Sequence, residues 1–371
     1  MLRMSNEVLG LINLIEDPDN LDELTYFRNA AAIPFMGRYR VIDFKISNFW
    51  YSGVNVIGVF ANNKFRSLLD HLNREEDFGM EGRKSRIFVL PPDWNDPTDI
   101  SQGDLKYFHN HMDLFKRSKS EHVIVSNMTY ITNDDYRNAF EYHKENDNDI
   151  TFIGDKCSAD NVPSGNMLRL TTEGARVTGL NHDKENTHVF TGVYIIKREV
   201  LMDTIRFCVN NYKESFLHHG IRERLHEFKT GHYNMNSKSF YFSGVSSYFK
   251  NSMSLLDKEK YREFFYGGNR VKTKISTRPS TLFKDKSKVK NSVLSNGVVV
   301  RGTVENSVLS RNVVIEEDAS VKNAILFANC VVKKGAYLEN VIIDKDVVIT
   351  EDRHVIGTAE KPFIAAKRTQ I

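Results

Sequence analysis

The stretch KNSVLS, Lys290–Ser295, decides the architecture of the C-terminal part of the chain because it recurs. Related pieces, ENSVLS, KNAILF and ENVIID, follow at successive intervals of 15, 17 and 17 residues and begin at Glu305, Lys322 and Glu339. Between them lie short β-branched runs that end in turn residues, such as GVVVRG and DVVITED. About three short strands per repeat are what one coil of a left-handed parallel β-helix requires. An antiparallel β-sandwich is the alternative, and the absence of hairpin dipeptides disfavours it.

The first 250 residues or so follow a different pattern, in which strand-like runs alternate with helix-like stretches such as KFRSLLDHL. The strand-like runs are VLGLI, VNVIGVFA, HVIVSN, DITFIG and TGVYII. Strands separated by helices predict an α/β fold with a Rossmann-like, mostly parallel mixed sheet that is covered on both faces. We therefore predict an α/β domain at 1–265, a linker at 266–288 and a β-helix domain at 289–371.

The composition argues against several classes of protein. Of the 371 residues, 40% are hydrophobic and 27% are charged, which is ordinary for a globular protein. No apolar run approaches the roughly 18 residues that a membrane span needs, and we expect neither a signal peptide nor a membrane partner. A formal charge of +3 without a basic stripe disfavours nucleic acid. Cys157, Cys208 and Cys330 form no disulfide framework or metal motif, so we expect a cytoplasmic protein.

One long segment carries a specific resemblance. It is RNAAAIPFMGRYRVIDFKISN, Arg28–Asn48, and it is followed by a strand and by SLLDHL. The segment resembles the glucose-1-phosphate adenylyltransferases, whose pattern there is close to R-A-K-P-A-x-x-F-G-G-x-[FY]-R-[IL]-I-D-F-x-L-S-N. The resemblance extends over nearly the whole chain and implies a GT-A-like nucleotidyltransferase domain before a left-handed β-helix. Members of that family join ATP and glucose 1-phosphate to give ADP-glucose and pyrophosphate, with metal and cations stabilising the displaced phosphate.

The loop that binds phosphates in that family is degenerate in this chain. The family has G-G-x-G-x-R-L-x-x-L-T after its first strand, whereas this chain has NLIEDPDNLDELT, Asn13–Thr25. The glycines and the arginine are absent and five acidic residues are present, so the loop would repel a triphosphate. We interpret it as a solvated surface turn, and a contact with a partner subunit is the alternative.

Four further positions of the implied active site are also changed. Ala30 replaces the lysine of R-A-K-P, and Lys106 replaces the aspartate of the nucleotide-binding G-T-A-D element. The metal-binding aspartate after a central strand corresponds to Thr129, and a neutral hydroxyl is a poor ligand for Mg²⁺. The second metal aspartate, in a D-V-G-T element, corresponds to Phe242. The sugar-binding E-K-P motif has no counterpart before TGVYII.

These losses together resemble the non-catalytic, regulatory subunit (the D subunit) of bacterial ADP-glucose pyrophosphorylase. The resemblance implies little activity alone, a role in glycogen biosynthesis and a separate catalytic chain as partner, in a heterotetramer or with self-association. It implies no metal or cofactor on this chain, and Mg²⁺ only at the partner's active site. Arg28 and Arg40 match arginines near the family's effector site and imply an anionic or phosphorylated effector. Structural ion pairs at the contact between the two domains are the alternative interpretation of both arginines.

Two other functions are weighed against this one. The first is an active sugar-nucleotide adenylyltransferase with a divergent site. The second is an acyltransferase, because many left-handed β-helix proteins transfer acyl groups with a histidine as base. Residues 290–350 contain no histidine, which argues against it. The neighbouring histidines at 109 and 111, and at 218 and 219, lack a completing cluster for metal.

Overall fold

The chain consists of two compact units. A computed structural model describes residues 7–15, 21–62, 64–79, 86–91, 103–128, 130–157, 167–235 and 239–371. The first unit comprises residues 1–18 and 44–239, and the second comprises residues 19–43 and 240–371. Among the described residues, no helix is both long enough and apolar enough to cross a bilayer.

The elements up to residue 266 include both strands and helices. The strands are β1 (Val8–Asn13), β2 (Pro34–Phe35), β3 (Tyr39–Arg40), β4 (Val56–Phe60), β5 (Arg86–Leu90), β6 (His122–Ser126), β7 (Tyr130–Thr132), β8 (Ile150–Lys156), β9 (Arg169–Glu173), β10 (Arg176–Asn181), β11 (His188–Lys197), β12 (Thr230–Asn234) and β13 (Ser239–Tyr241). The helices are α1 (Val41–Tyr51), α2 (Arg66–Leu72), α3 (Leu105–Asn110), α4 (Met112–Arg117), α5 (Arg137–Glu145), α6 (Arg198–Asn210), α7 (Val245–Ser254) and α8 (Lys258–Tyr266). Short 3-10 turns span Asp22–Thr25, Ala30–Ala32, Glu75–Phe78 and Arg222–Glu227, and a π-helical turn spans Phe216–Ile221.

The first unit is built on a mixed sheet, which confirms the α/β prediction. Its described strands follow the order β10-β9-β11-β6-β1-β4-β5, and β8 and β12 extend it from β11. The central strands β6, β1, β4 and β5 are parallel to one another, whereas β11 is antiparallel to both β6 and β8. Parallel strands place their carboxyl ends at one edge of the sheet, and ligands of α/β folds bind there.

Hydrophobic spacing explains how the helices cover this sheet. In α6 the buried side chains are Leu201, Thr204, Ile205 and Cys208, which recur at helical spacing on one face. Leu201, Ile205 and Cys208 belong to a core that also includes Leu9 and Phe152. The sheet is therefore covered by amphipathic helices, as the alternating pattern of the sequence predicts.

The second unit contains a parallel β-helix. Its strands are β14 (Leu282–Phe283), β15 (Lys288–Lys290), β16 (Val293–Leu294), β17 (Val299–Val300), β18 (Thr303–Glu305), β19 (Val308–Leu309), β20 (Val314–Ile315), β21 (Ser320–Leu326), β22 (Val331–Val332), β23 (Tyr337–Ile343), β24 (Val348–Ile349), β25 (His354–Ile356) and β26 (Phe363–Ala365). Successive coils stack with parallel pairing throughout, for example β14-β17-β20-β22-β24. Buried Val, Leu, Ile and Ala side chains fill its interior. The predicted linker at 266–288 therefore includes β14, a strand of the first coil.

The asparagine of each repeat forms a corner of this β-helix. Asn291, Asn306, Asn323 and Asn340 have φ angles of 43°, 44°, 45° and 53°, in the left-handed region that asparagine tolerates better than most residues. The Asn291 side-chain amide donates to Oδ1 of Asn306 at 2.8 Å. In the second repeat the corner is followed by the buried pair Val308 and Leu309. The recurring hexapeptide is thus a corner residue followed by an inward-facing strand.

The segment 19–43 belongs to the second unit, which sequence order does not suggest. Tyr248 Oη donates to the carbonyl of Pro34 at 2.6 Å. Gly37 has a φ of +79°, and a Cβ there would lie 2.7 Å from Ser295 Oγ, so only glycine fits against this coil. The domain boundaries 1–265 and 289–371 remain a prediction. The segment 19–43 packs with the C-terminal coils.

Candidate functional site

The carboxyl end of β1, where the phosphates of a nucleotide are expected, holds a buried carboxylate. Asp104 is 1% exposed, and its Oδ2 accepts the side-chain amide of Asn13 at 2.6 Å. Its Oδ1 accepts the backbone N–H of Phe216 at 2.8 Å. A buried negative charge at this place opposes the binding of phosphate oxygens. The sequence analysis did not identify Asp104 as a site residue, although Asp104 belongs to GDLK, the segment that corresponds to the nucleotide-binding G-T-A-D element.

The retained glycine of that element has a structural role. A Cβ at Gly103 would collide with the backbone carbonyl group of Glu214. The same carbonyl oxygen accepts a hydrogen bond from the backbone N–H of Leu105 at 3.0 Å. Lys106, at the aspartate position, is half-buried, with its Nζ 5.7 Å from the ring centroid of Tyr107. The position therefore carries a cation beside an aromatic ring.

The acidic loop is only partly within the described residues, since residues 16–20 are not described. Its end forms the 3-10 turn Asp22–Thr25, in which Leu24 and Thr25 are buried and Asp22 is exposed. Ala30 starts a second short turn, capped by Asn29, whose Oδ1 accepts the N–H of Ala31 at 2.9 Å. A methyl group at position 30 supplies no charge for phosphate.

The first metal position, Thr129, lies outside the described residues. Its neighbour Tyr130 is buried and its hydroxyl is hydrogen-bonded to Ser239 Oγ, which donates to Asp155 Oδ2 at 2.9 Å. Burial raises the pKa of Asp155, whereas the Ser239 hydrogen bond lowers it. Asp155 was missed by sequence reasoning because it lies within a strand-like run, DITFIGDK, with no motif around it.

The second metal position, Phe242, lies in an apolar cluster. Its side chain is 5% exposed, and its ring centroid lies 5.5 Å from that of Phe35 and 5.7 Å from that of Tyr248. All three residues belong to the second unit. A phenyl ring packed in this way offers no ligand atom to a divalent cation.

Arg28 forms a buried ion pair within the second unit. Its Nη2 donates to both carboxylate oxygens of Asp344, at 2.7 and 2.9 Å, and the two side chains are 4% and 1% exposed. The guanidinium also lies 5.8 Å from the ring centroid of Phe327. The guanidinium is therefore engaged by Asp344 within the second unit.

The charge of Arg40 acts on Lys345, as does that of Lys367, and sequence reasoning missed both lysines. Lys345 is half-buried, and burial lowers its pKa. The positive charges of Arg40, Lys367 and Arg28 lower the pKa further, while Asp346 raises it. A break in the repeat could have drawn attention to this place in the sequence. The sixth residue of the first three repeats is uncharged (Ser295, Ser310 and Phe327), whereas the fourth repeat has Asp344 there, immediately before Lys345.

Among the residues that the structure describes, one group of three side chains could hold a metal ion: His218, His219 and Glu223. The hydrogen bonds of the imidazoles disfavour this. Nδ1 of His219 accepts the N–H of Ser215 at 3.1 Å, and Nδ1 of His218 lies 3.3 Å from a guanidinium nitrogen of Arg222, which can only donate. Metal-binding histidines instead donate their second N–H to an acceptor.

Comparisons with known proteins find relatives of both parts of the chain. The nucleotidyl transferase family matches residues 19–245, and the GlmU-like C-terminal hexapeptide family matches residues 279–362. The glycogen biosynthesis protein GlgD of Geobacillus stearothermophilus is 31% identical over 99% of this chain and 98% of its own length. The chain belongs to the GlgD family of nucleotidyl transferases. The hexapeptide match confirms the left-handed β-helix.

Other relatives fall into two groups. GlgD of Bacillus subtilis (strain 168) is 29% identical over 98% of the chain and 96% of its own length. The glucose-1-phosphate adenylyltransferase of Lachnospira eligens is 25% identical over 85% of the chain and 75% of its own length. The similarity to GlgD proteins is thus higher and more complete than that to the Lachnospira enzyme.

Proposed function

We propose that this chain is a regulatory or scaffolding subunit that acts with a catalytic glucose-1-phosphate adenylyltransferase in glycogen biosynthesis. The proposal is supported by relatives along the full chain that are named for glycogen biosynthesis and by weaker similarity to an adenylyltransferase. The observation that carries it is Phe242, a buried phenyl ring at a position where the resembling family has a metal-binding carboxylate. Ala30 and Asp104 support the same conclusion at the phosphate positions.

The proposed assembly is a heterotetramer in the cytoplasm, with Mg²⁺ bound at the active site of the catalytic partner. The three cysteines, Cys157, Cys208 and Cys330, are free thiols, which suits a reducing compartment. On this chain the family's metal positions are Phe242 and Thr129, so we expect its folding and assembly not to require Mg²⁺.

Co-expression with a catalytic adenylyltransferase chain tests the assembly. We expect the two chains to co-elute in one species, and we expect the mixture to differ from the catalytic chain alone in rate or in response to effectors. A mixture whose rate and effector response equal those of the catalytic chain would contradict the regulatory role. The control is a mixture in which this chain is replaced by an equal amount of an unrelated protein.

We further propose that Arg40, Lys345 and Lys367 bind an anionic or phosphorylated effector, with Arg28 holding the surrounding coil through Asp344. The positive charges of Arg40, Lys367 and Arg28 act on Lys345, and a bound anion would offset them. Binding of an anion would raise the depressed pKa of Lys345. Guanidinium and ammonium groups suit phosphate oxygens.

Calorimetric titration with pyrophosphate tests this site. We expect the Lys345→Gln variant to bind pyrophosphate at least about tenfold more weakly, since hydrogen bonds to charged groups contribute roughly 1.5–3 kcal/mol. The exposed Lys334 provides a matched control, and Lys334→Gln should bind as the wild type does. Equal affinity of the Lys345→Gln variant would contradict the assignment.

A further inference from the structure

The strands of the first coil of the β-helix have a neighbouring strand on one side only. Among the described residues, β14 pairs only with β17, β15 only with β18 and β16 only with β19. An edge strand presents unpaired backbone N–H and C=O groups, which can accept a further strand. This surface, Leu282–Leu294, is referred to below as the first-coil edge.

The first-coil edge combines positive charge with exposed apolar side chains. The segment 284–290 reads KDKSKVK, with four lysines and one aspartate, and all five charged residues are exposed. Leu282, Phe283 and Val289 are 47%, 55% and 36% exposed. Lysines on an edge strand also serve to prevent aggregation. That role alone does not account for the apolar side chains, which would favour association.

A ladder of alternating charge indicates what would pair with this edge. Lys290, Glu305, Lys322 and Glu339 lie in register on successive coils. Lys290 Nζ lies 3.4 Å from Glu305, and Lys322 Nζ lies 3.4 Å from Glu339. Opposite charges on neighbouring strands stabilise a sheet and like charges destabilise it. The strand that continues the alternation beyond Lys290 therefore carries an acidic residue.

We propose that the first-coil edge docks an extended acidic segment of a partner polypeptide, which adds a strand beside β15 with a carboxylate in register with Lys290. A second copy of the same edge does not fit, because it would bring Lys288 and Lys290 against the same lysines. The exposed side chain of Val289, between the two lysines of β15, supplies apolar contact area for the added segment. The proposal does not depend on the catalytic deficiency of the chain.

The test uses a fluorescent peptide of sequence TVENSVL, which is Thr303–Leu309 of this chain and lies beside Lys290 in the fold. Fluorescence anisotropy with the full chain should show saturable binding up to millimolar concentration. The peptide TVKNSVL should bind at least about fivefold more weakly, as should TVENSVL to the Lys288→Gln/Lys290→Gln variant. The control Lys361→Gln removes an exposed lysine of the loop before β26 and should leave binding unchanged.

A charge-reversal variant keeps the test decisive if the loss of the lysine charges weakens peptide binding only slightly. The Lys288→Glu/Lys290→Glu variant should prefer TVKNSVL over TVENSVL, which a generally sticky surface would not do. Absence of binding, equal binding of the two peptides, or an unchanged preference in the reversed variant would overturn the proposal. Sedimentation that shows self-association through this edge, abolished in the reversed variant, would assign it to a second copy and would also overturn the proposal.

Discussion

At the residue scale, the ion pair between Arg28 and Asp344 shows what local sequence cannot predict. The two residues are 316 positions apart and meet in the interior of the second unit. The resemblance drew attention to Arg28 as an effector ligand, because the matching arginines of the family have that role. The structure gives its guanidinium a buried carboxylate, and only the three-dimensional arrangement reveals that partner.

Removal of the Asp344 carboxylate should destabilise the chain. The Asp344→Asn variant leaves the buried guanidinium of Arg28 without its counter-charge, and we expect a loss of about 3–5 kcal/mol in the free energy of unfolding. Urea denaturation measures it. The exposed Asp318, a corner residue with a φ of 58°, provides the matched control, and Asp318→Asn should change stability by less than about 0.5 kcal/mol. Equal stability of the two variants would contradict the importance of the ion pair.

A second prediction at this scale concerns His143, which is fully buried and whose Nδ1 lies 2.8 Å from Thr151 Oγ1. Burial, followed by the charge of His122, lowers the pKa of His143 to about 3. Because the folded pKa lies below the unfolded value of about 6.5, protonation favours the unfolded chain. Stability should therefore fall as the pH falls from about 6.5 towards 3, by up to about 1.4 kcal/mol per pH unit.

The His143→Gln variant should show a shallower loss of stability between pH 7 and pH 5 in urea denaturation. The exposed His226 serves as the control, and His226→Gln should keep the wild-type pH dependence. If the stability of the His143→Gln variant fell with pH as steeply as that of the wild type, groups other than His143 would cause the acid sensitivity.

At the scale of elements, the β-helix was predictable because its information is local and repeated. Each hexapeptide carries both the corner asparagine and the inward-facing strand, so spacing alone reveals the coil. The repeat pattern does not extend to β14, which lacks the asparagine of the later repeats. The grouping of residues 19–43 with the second unit was not predictable, because it depends on contacts such as that of Tyr248 with Pro34.

The corner conformation can be tested at Asn323, whose φ is 45°. A β-branched residue is strained there, so Asn323→Val should lower the free energy of unfolding by at least about 1–2 kcal/mol. Asn323→Gly adopts the same conformation without strain and should be markedly more stable than the valine variant. Thermal unfolding compares the two. Equal melting temperatures would show that the backbone conformation of the corner does not limit stability.

At the scale of the whole molecule, the fold of a nucleotidyl transferase is present, and the loss of its catalytic groups stays a prediction. The sequence predicts that loss at Ala30, Lys106 and Phe242 because these residues interrupt a specific motif. Asp104, Asp155 and Lys345 were not predicted, because their environment is created by elements that are distant along the chain. Fold and catalysis depend on different residues here, so one can persist without the other.

The central claim is that this chain alone does not catalyse formation of ADP-glucose. The most direct measurement is the release of pyrophosphate by the purified full chain with ATP, Mg²⁺ and glucose 1-phosphate, beside a catalytic adenylyltransferase as the positive control. We predict a rate at least about a thousandfold below that control, since the groups that stabilise the displaced phosphate are replaced. A rate comparable to that of the catalytic enzyme would contradict the claim and would favour an active enzyme with a divergent site.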